Sequence, residues 1–81
     1  MMGVRVALSV PQLGVVEEII VLEWLKRSGA TVVRGDRVVL IETEKAQTEL
    51  EAPADGTLEI VVAASDIEVL VGAVLAYVMT P

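Results

Sequence analysis

Few residues in this 81-residue chain could take part in covalent chemistry, and Lys45 stands out among them. It lies in Ile41-Glu42-Thr43-Glu44-Lys45-Ala46, between two runs that read as β-strands. A lysine at the apex of a hairpin, held clear of the surface, is where a chain would carry a covalent arm. The ordinary alternative is a solvated turn lysine, which is far commoner among proteins. A lysine amine in water is protonated at neutral pH, with a pKa of about 10.4. Acylating it therefore needs an activated donor and a group to remove the proton, and this chain supplies neither. The sequence has no Cys and no His, which excludes disulfides, thiolate nucleophiles, histidine-based triads and zinc sites built on either residue. No catalytic residue and no metal ligand set is expected.

The elements that must position Lys45 follow from composition and pattern. At 81 residues the chain suits one small domain, expected to span 1–81. The apolar share is 54%, drawn mostly from Val, Leu, Ile and Ala with no Phe, which favours strands over helices. Val4–Val10 alternates and reads as a half-buried strand stopped by Pro11, with a loop over Gln12–Val16. Glu18–Lys26 has apolar residues at spacings that also suit a helix. Its β-branched residues and the early stop at Gly29 favour a strand. Arg34-Gly35-Asp36-Arg37 signals a turn, Val38–Thr43 a strand, Glu44-Lys45-Ala46 the apex and Gln47–Glu51 a return strand with one solvated face. Leu58–Val62, a short Ile67–Val69 and Val74–Val78 complete the expected strands.

The two halves echo each other. Val33–Ile41 resembles Leu70–Val78, with Gly35 and Gly72 in register 37 residues apart. Two such halves can wrap about a pseudo-twofold axis as two facing sheets, placing the Lys45 turn and the chain ends at opposite poles. The expected fold is all-β: a flattened barrel or sandwich of two antiparallel sheets, each of about four strands.

A formal charge of −6 repels a phosphate backbone, so no nucleic acid partner is expected. The longest nearly apolar run, Val69–Met79, is short of the roughly 20 residues a spanning helix needs, and no secretory signal is visible. A soluble, monomeric domain of the cytoplasm, or of the mitochondrial matrix in a eukaryote, is expected. Met79-Thr80-Pro81 could begin a linker.

Taken in order, Pro11-Gln12-Leu13-Gly14, Glu23-Trp24-Leu25-Lys26, Gly35-Asp36-Arg37-Val38, Ile41–Ala46, Ala52-Pro53-Ala54-Asp55-Gly56, Val71-Gly72 and Leu75-Ala76 resemble the biotinyl/lipoyl attachment domain family. More narrowly, they resemble the lipoyl domain of the acyltransferase component of 2-oxo acid dehydrogenase complexes. The resemblance implies lipoate in amide linkage to Lys45, with Thr43, Glu44 and Ala46 as flanking recognition residues. It implies a partner-recognition loop at Gly14, Val15, Val16 and Glu17. The implied partners are a lipoate ligase or lipoyl transferase, a thiamine diphosphate-dependent decarboxylase, an acyltransferase core and a dihydrolipoamide dehydrogenase. The domain would be a carrier and not an enzyme.

This chain departs from the family in two places. Gly14 and Trp24 stand closer together than usual, with Ile19 where the family has Gly, and Glu44 replaces the more frequent Asp. Biotin carriers of the same fold place Met on both sides of the lysine, where this chain has Glu44 and Ala46. A purely structural module of the fold, the remaining alternative, needs no lysine at the apex. Trp24 reads as a core anchor, Asp36 as a turn-forming residue and Lys26 as a surface charge.

Overall fold

The computed structural model describes residues 3–12 and 17–81. Among them are eight strands and no helix: β1 (Arg5–Ser9), β2 (Glu18–Trp24), β3 (Thr31–Val32), β4 (Arg37–Glu42), β5 (Gln47–Glu51), β6 (Gly56–Ile60), β7 (Val69–Leu70) and β8 (Val74–Met79). They form two four-stranded sheets, ordered β1-β8-β6-β3 and β5-β4-β2-β7, with every pairing antiparallel. Counting on from β8 to β1, adding four to each strand number converts the first order into the second. The sheets are therefore related as the repeat in the sequence anticipates.

Two of the three register slips are equivalent, while the one between Val21 and Glu23 in the β2–β4 pair has no counterpart in β6–β8. β1 and β8 slip register between Leu8 and Ser9, so that Leu75 has no partner; β4 and β5 slip between Arg37 and Val39, leaving Val38 as the extra residue. A bulge lets two consecutive side chains face inward, where a regular strand would alternate. Val38 and Val39 are accordingly both buried, as are Leu75 and Ala76. The two turns match as well. Gly35 and Gly72 have φ of 93° and 92°, a region that side chains with a Cβ disfavour. The Gly35 amide donates to the Ala52 carbonyl and the Gly72 amide to the Val10 carbonyl.

The core is aliphatic. Ile19, Val21 and Ile41 come from one sheet, and Leu58, Leu75 and Val78 from the other, all with 1% exposure or less. Trp24 is half-buried against this cluster, and its indole N–H donates to the Val62 carbonyl at 2.8 Å. It anchors the core, with its one polar atom satisfied. Among the described residues no polar or charged side chain is buried.

Three sequence expectations need correction. The strand expected at Leu58–Val62 runs instead over Gly56–Ile60: the amides of Val61 and Val62 both donate to the Leu75 carbonyl, which turns the chain out of the ladder. The short strand expected at Ile67–Val69 lies at Val69–Leu70, where Ile19 and Glu18 provide the pairing, while Ile67 is 70% exposed. β3 was not anticipated; its two residues pair with Gly56 and Thr57 and bury Val32. Glu18–Trp24 is a strand, as its β-branched content suggested.

The registers fix the poles of the domain. Arg5 and Thr57 both face Met79, Gly56 faces Val32, and the bond from Gly35 to Ala52 closes the base of the β4–β5 hairpin. The other end of that hairpin, Glu42 opposite Gln47, carries Lys45. The chain thus enters and leaves the barrel at the pole remote from the lysine.

Candidate functional site

β4 rises from the core with Ile41 fully buried and Glu42 half-buried, and β5 descends with Thr48 and Leu50 half-buried. The base of the hairpin is therefore held by packing. Above it, Gln47 Nε2 donates to Glu42 Oε2 at 3.2 Å across the last ladder pair. Thr43 and Ala46 close the loop, the Thr43 amide donating to the Ala46 carbonyl at 2.8 Å. Only Glu44 and Lys45 remain at the tip, both bends and both exposed. Among the described residues neither takes part in an ion pair. The Lys45 amine projects into solvent with no carboxylate to hold it down, as attachment by a large enzyme requires.

Thr43 faces into this turn. Its hydroxyl accepts from the amides of Lys45 (3.3 Å) and Ala46 (3.2 Å) and donates to the Ala46 carbonyl (3.2 Å). The resemblance implied a recognition role for Thr43, and the geometry adds a conformational one. The signal was in the sequence, since a threonine two residues before a tip residue can bond its amide.

A cleft of about 510 Å³ opens beside the hairpin, lined by Glu17, Glu18, Ile19, Ile20, Glu42, Thr43, Glu44 and Glu68. Of the recognition loop expected from the sequence, Glu17 is here, exposed, with its carbonyl accepting from the Val71 amide at 3.0 Å. Gly14, Val15 and Val16 lie outside the described residues. The structure thus brings Glu17, Thr43 and Glu44 to one cleft; Lys45 and Ala46 follow them along the loop and do not line it. It adds Glu18 and Glu68, which the sequence reading missed. Glu68 arrives through the pairing of β7 with β2, two residues long and without a periodic signal. Lys26 is an exposed residue in the bend after β2, at the end away from this cleft.

A family model described as "Biotin-requiring enzyme" matches residues 6–78. The dihydrolipoyllysine-residue acetyltransferase component of the acetoin cleaving system of Pseudomonas putida is 43% identical over 56 residues, 69% of this chain and 15% of that protein. The corresponding acetyltransferase component of the pyruvate dehydrogenase complex of Corynebacterium glutamicum is 36% identical over 75 residues, 91% of this chain and 11% of that protein. The succinyltransferase component of the 2-oxoglutarate dehydrogenase complex of Rickettsia bellii is 36% identical over 72 residues, 88% of this chain and 18% of that protein. The chain spans less than a fifth of the length of any of these three relatives. With the family match covering nearly all of the chain, and a two-sheet antiparallel fold presenting a lysine at a hairpin tip, the protein belongs to the biotinyl/lipoyl attachment family of carrier domains.

Proposed function

We propose that this domain carries lipoate in amide linkage on Lys45. In that form it would shuttle acyl groups and reducing equivalents between the active sites of a 2-oxo acid or acetoin dehydrogenase complex. The observation that carries the reading is the placement of Lys45: exposed and free of ion pairs, on a two-residue tip at the pole opposite the chain ends. The relatives, all named as dihydrolipoyllysine-residue acyltransferase components, support lipoate over biotin. So do Glu44 and Ala46, which stand where biotin carriers have Met.

The residues present fit such an arm. The amine is accessible, Ala46 is too small to crowd it, and the buried base of the hairpin keeps the tip from folding back. When attached, lipoate supplies a strained disulfide that can be reduced and acylated. The domain's own residues supply the anchor and a rigid stalk. Tethering at the opposite pole lets the tip sample several active sites at an effective concentration of about millimolar for a short flexible linker. The partners proposed are a lipoate ligase or lipoyl transferase, a thiamine diphosphate-dependent decarboxylase, an acyltransferase core and a dihydrolipoamide dehydrogenase. The domain itself is a substrate of these enzymes. Its chain offers no His or Cys, and the hard chemistry falls to cofactors and partners.

Co-expression with a lipoate ligase and, separately, with a biotin ligase tests the assignment by intact mass. The expected result is a lipoyl increment in the native chain and none in Lys45→Ala. A biotin increment would overturn the choice of cofactor, and modification by neither ligase would overturn the carrier reading. The variant should stay folded, because an exposed tip residue changes stability by about 0.5 kcal/mol or less.

A further inference from the structure

The hydrogen bonds that close the Lys45 turn occur twice in this molecule. At the pole where the chain enters and leaves, the Thr80 amide donates to the Val4 carbonyl (2.9 Å), the Val4 amide donates to the Thr80 hydroxyl (3.0 Å), and that hydroxyl donates to the Val4 carbonyl (3.1 Å). Thr43 makes the same three bonds to Ala46. Thr80 stands to β8 as Thr43 stands to β4, and Val4 to β1 as Ala46 to β5. The threonine clasp therefore closes the end of a strand pair at both poles of this molecule. The Lys45 pole has one bond that the other lacks, from the Lys45 amide to the Thr43 hydroxyl at 3.3 Å. Its length is slightly beyond the usual range of about 2.7–3.2 Å and marks a weak bond, but it is the one polar contact fixing the lysine's own backbone.

We propose that Thr43 is a positioning residue for modification of Lys45: its hydroxyl holds the lysine's backbone amide and so sets the direction in which the side chain leaves the tip. This rests on the lipoyl reading above. A lipoate ligase must accept the amine in a narrow pocket. A tip that samples many directions presents the productive one for a smaller fraction of the time, which raises KM and leaves kcat unchanged once the lysine is bound. Threonine suits the task because it is β-branched, with few side-chain conformations to lose, and carries both an acceptor and a donor.

The test compares Thr43→Val, Thr43→Ser and Thr80→Val with the native 81-residue chain as substrates of a lipoate ligase supplied with lipoic acid and ATP. Thr43→Val keeps the shape and removes the hydroxyl. Its KM should rise about two- to tenfold, the equivalent of one net hydrogen bond, with kcat within about twofold of native. Thr43→Ser should restore the native KM. Thr80→Val removes the matching clasp at the far pole, so it should lower the melting temperature about as much as Thr43→Val does and leave KM unchanged. Amide exchange at Lys45 should accelerate in Thr43→Val alone. A native KM in Thr43→Val would overturn the proposal, and so would an equal rise in Thr80→Val, which would reveal a general loss of stability. If the native chain took up no lipoate, the lipoyl reading and this inference would fail together. A modified native chain with an unaffected Thr43→Val would sink this inference alone.

Discussion

The two poles of the domain close with the same threonine clasp, yet one is continuous and the other is where the chain enters and leaves. Between Thr43 and Ala46 the chain inserts Glu44 and Lys45; between Thr80 and Val4 no covalent link closes the pair. The barrel is thus nearly indifferent to direction. The bulges at Val38 and Leu75, the glycine turns and the clasps serve either end, and the poles differ by the two residues inserted at one of them. A symmetric scaffold separates the pole where the chain enters and leaves from the Lys45 tip by construction, since equivalent positions under the pseudo-twofold relation lie at opposite poles.

The strongest way to break this comparison is to attack one bulge at a time. Leu75 and Val38 occupy equivalent bulges, and both have 0% exposure. Leu75→Ala should destabilise by about 2–5 kcal/mol, through lost burial and the cavity left behind. In a domain this small the melting temperature falls about 4–8 °C for each kcal/mol. Val38→Ala removes fewer carbons and should cost less, in proportion to the volume lost. If thermal unfolding showed Leu75→Ala to be mild and Val38→Ala severe, the two halves would not share load as their registers indicate.

The glycine turns come next. Gly35→Ala and Gly72→Ala should each cost about 1–2 kcal/mol, because both sit near φ +93° and open space around each leaves backbone strain as the whole effect. Equal costs are expected from strain alone. The turns differ in their side-chain bonds, however. Asp36 Oδ2 accepts from the Val33 amide at 2.9 Å and Asp55 Oδ1 from the Arg34 amide at 2.7 Å, whereas Ala73, the equivalent of Asp36, has no acceptor to offer. Asp36→Ala should therefore cost about 1 kcal/mol and leave the first turn with the Asp55 bond alone. Urea midpoints for the three variants decide the point. A negligible loss in Asp36→Ala would mean that water replaces the carboxylate without penalty.

Much of this was legible beforehand, for physical reasons. Lys45, its flanking strands and the repeat of Gly35 at Gly72 are local signals: alternation, turn chemistry and a fixed offset all lie along the chain. Asp36 as a turn former and Trp24 as a core anchor were legible for the same reason. What was not legible depends on pairing between distant segments. β3 is two residues long and exists because Gly56 and Thr57 lie opposite it. Val61 and Val62 look like strand residues, but their amides are both drawn to one carbonyl, Leu75. Glu68 reaches the cleft beside Lys45 through β7, whose position the sequence misplaced by two residues at its start. Thr43 was noticed as a neighbour of the lysine, but its bonds inward became visible only with the turn in place.

The smallest expected effect concerns the surface, where the halves stop matching. Arg37 Nη1 lies 3.2 Å from Glu49 Oε1 across β4 and β5, with side chains 69% and 40% exposed. Arg5 Nη1 lies 3.6 Å from Glu59 Oε1, with side chains 54% and 52% exposed, and its guanidinium sits 4.6 Å from the centre of the Tyr77 ring. Neither pair is the image of the other: the equivalent of Arg37 is Val74, and that of Arg5 is Gln47. Exposed pairs of this kind contribute about 0.2–1 kcal/mol at low salt, and screening lowers the figure further. A double-mutant cycle on Arg37 and Glu49 should return a coupling in the lower half of that range, vanishing in 1 M salt. For Arg5, replacing Glu59 should cost less than replacing Tyr77, because the half-buried ring both packs in the sheet and carries the guanidinium over its face. A coupling above about 1 kcal/mol for either ion pair would show that the surface holds the sheets in register. The expected result assigns that task to the core, where equivalence between the halves is closest. It leaves the exposed positions, Glu44 and Lys45 among them, free to differ between the poles at little cost in stability.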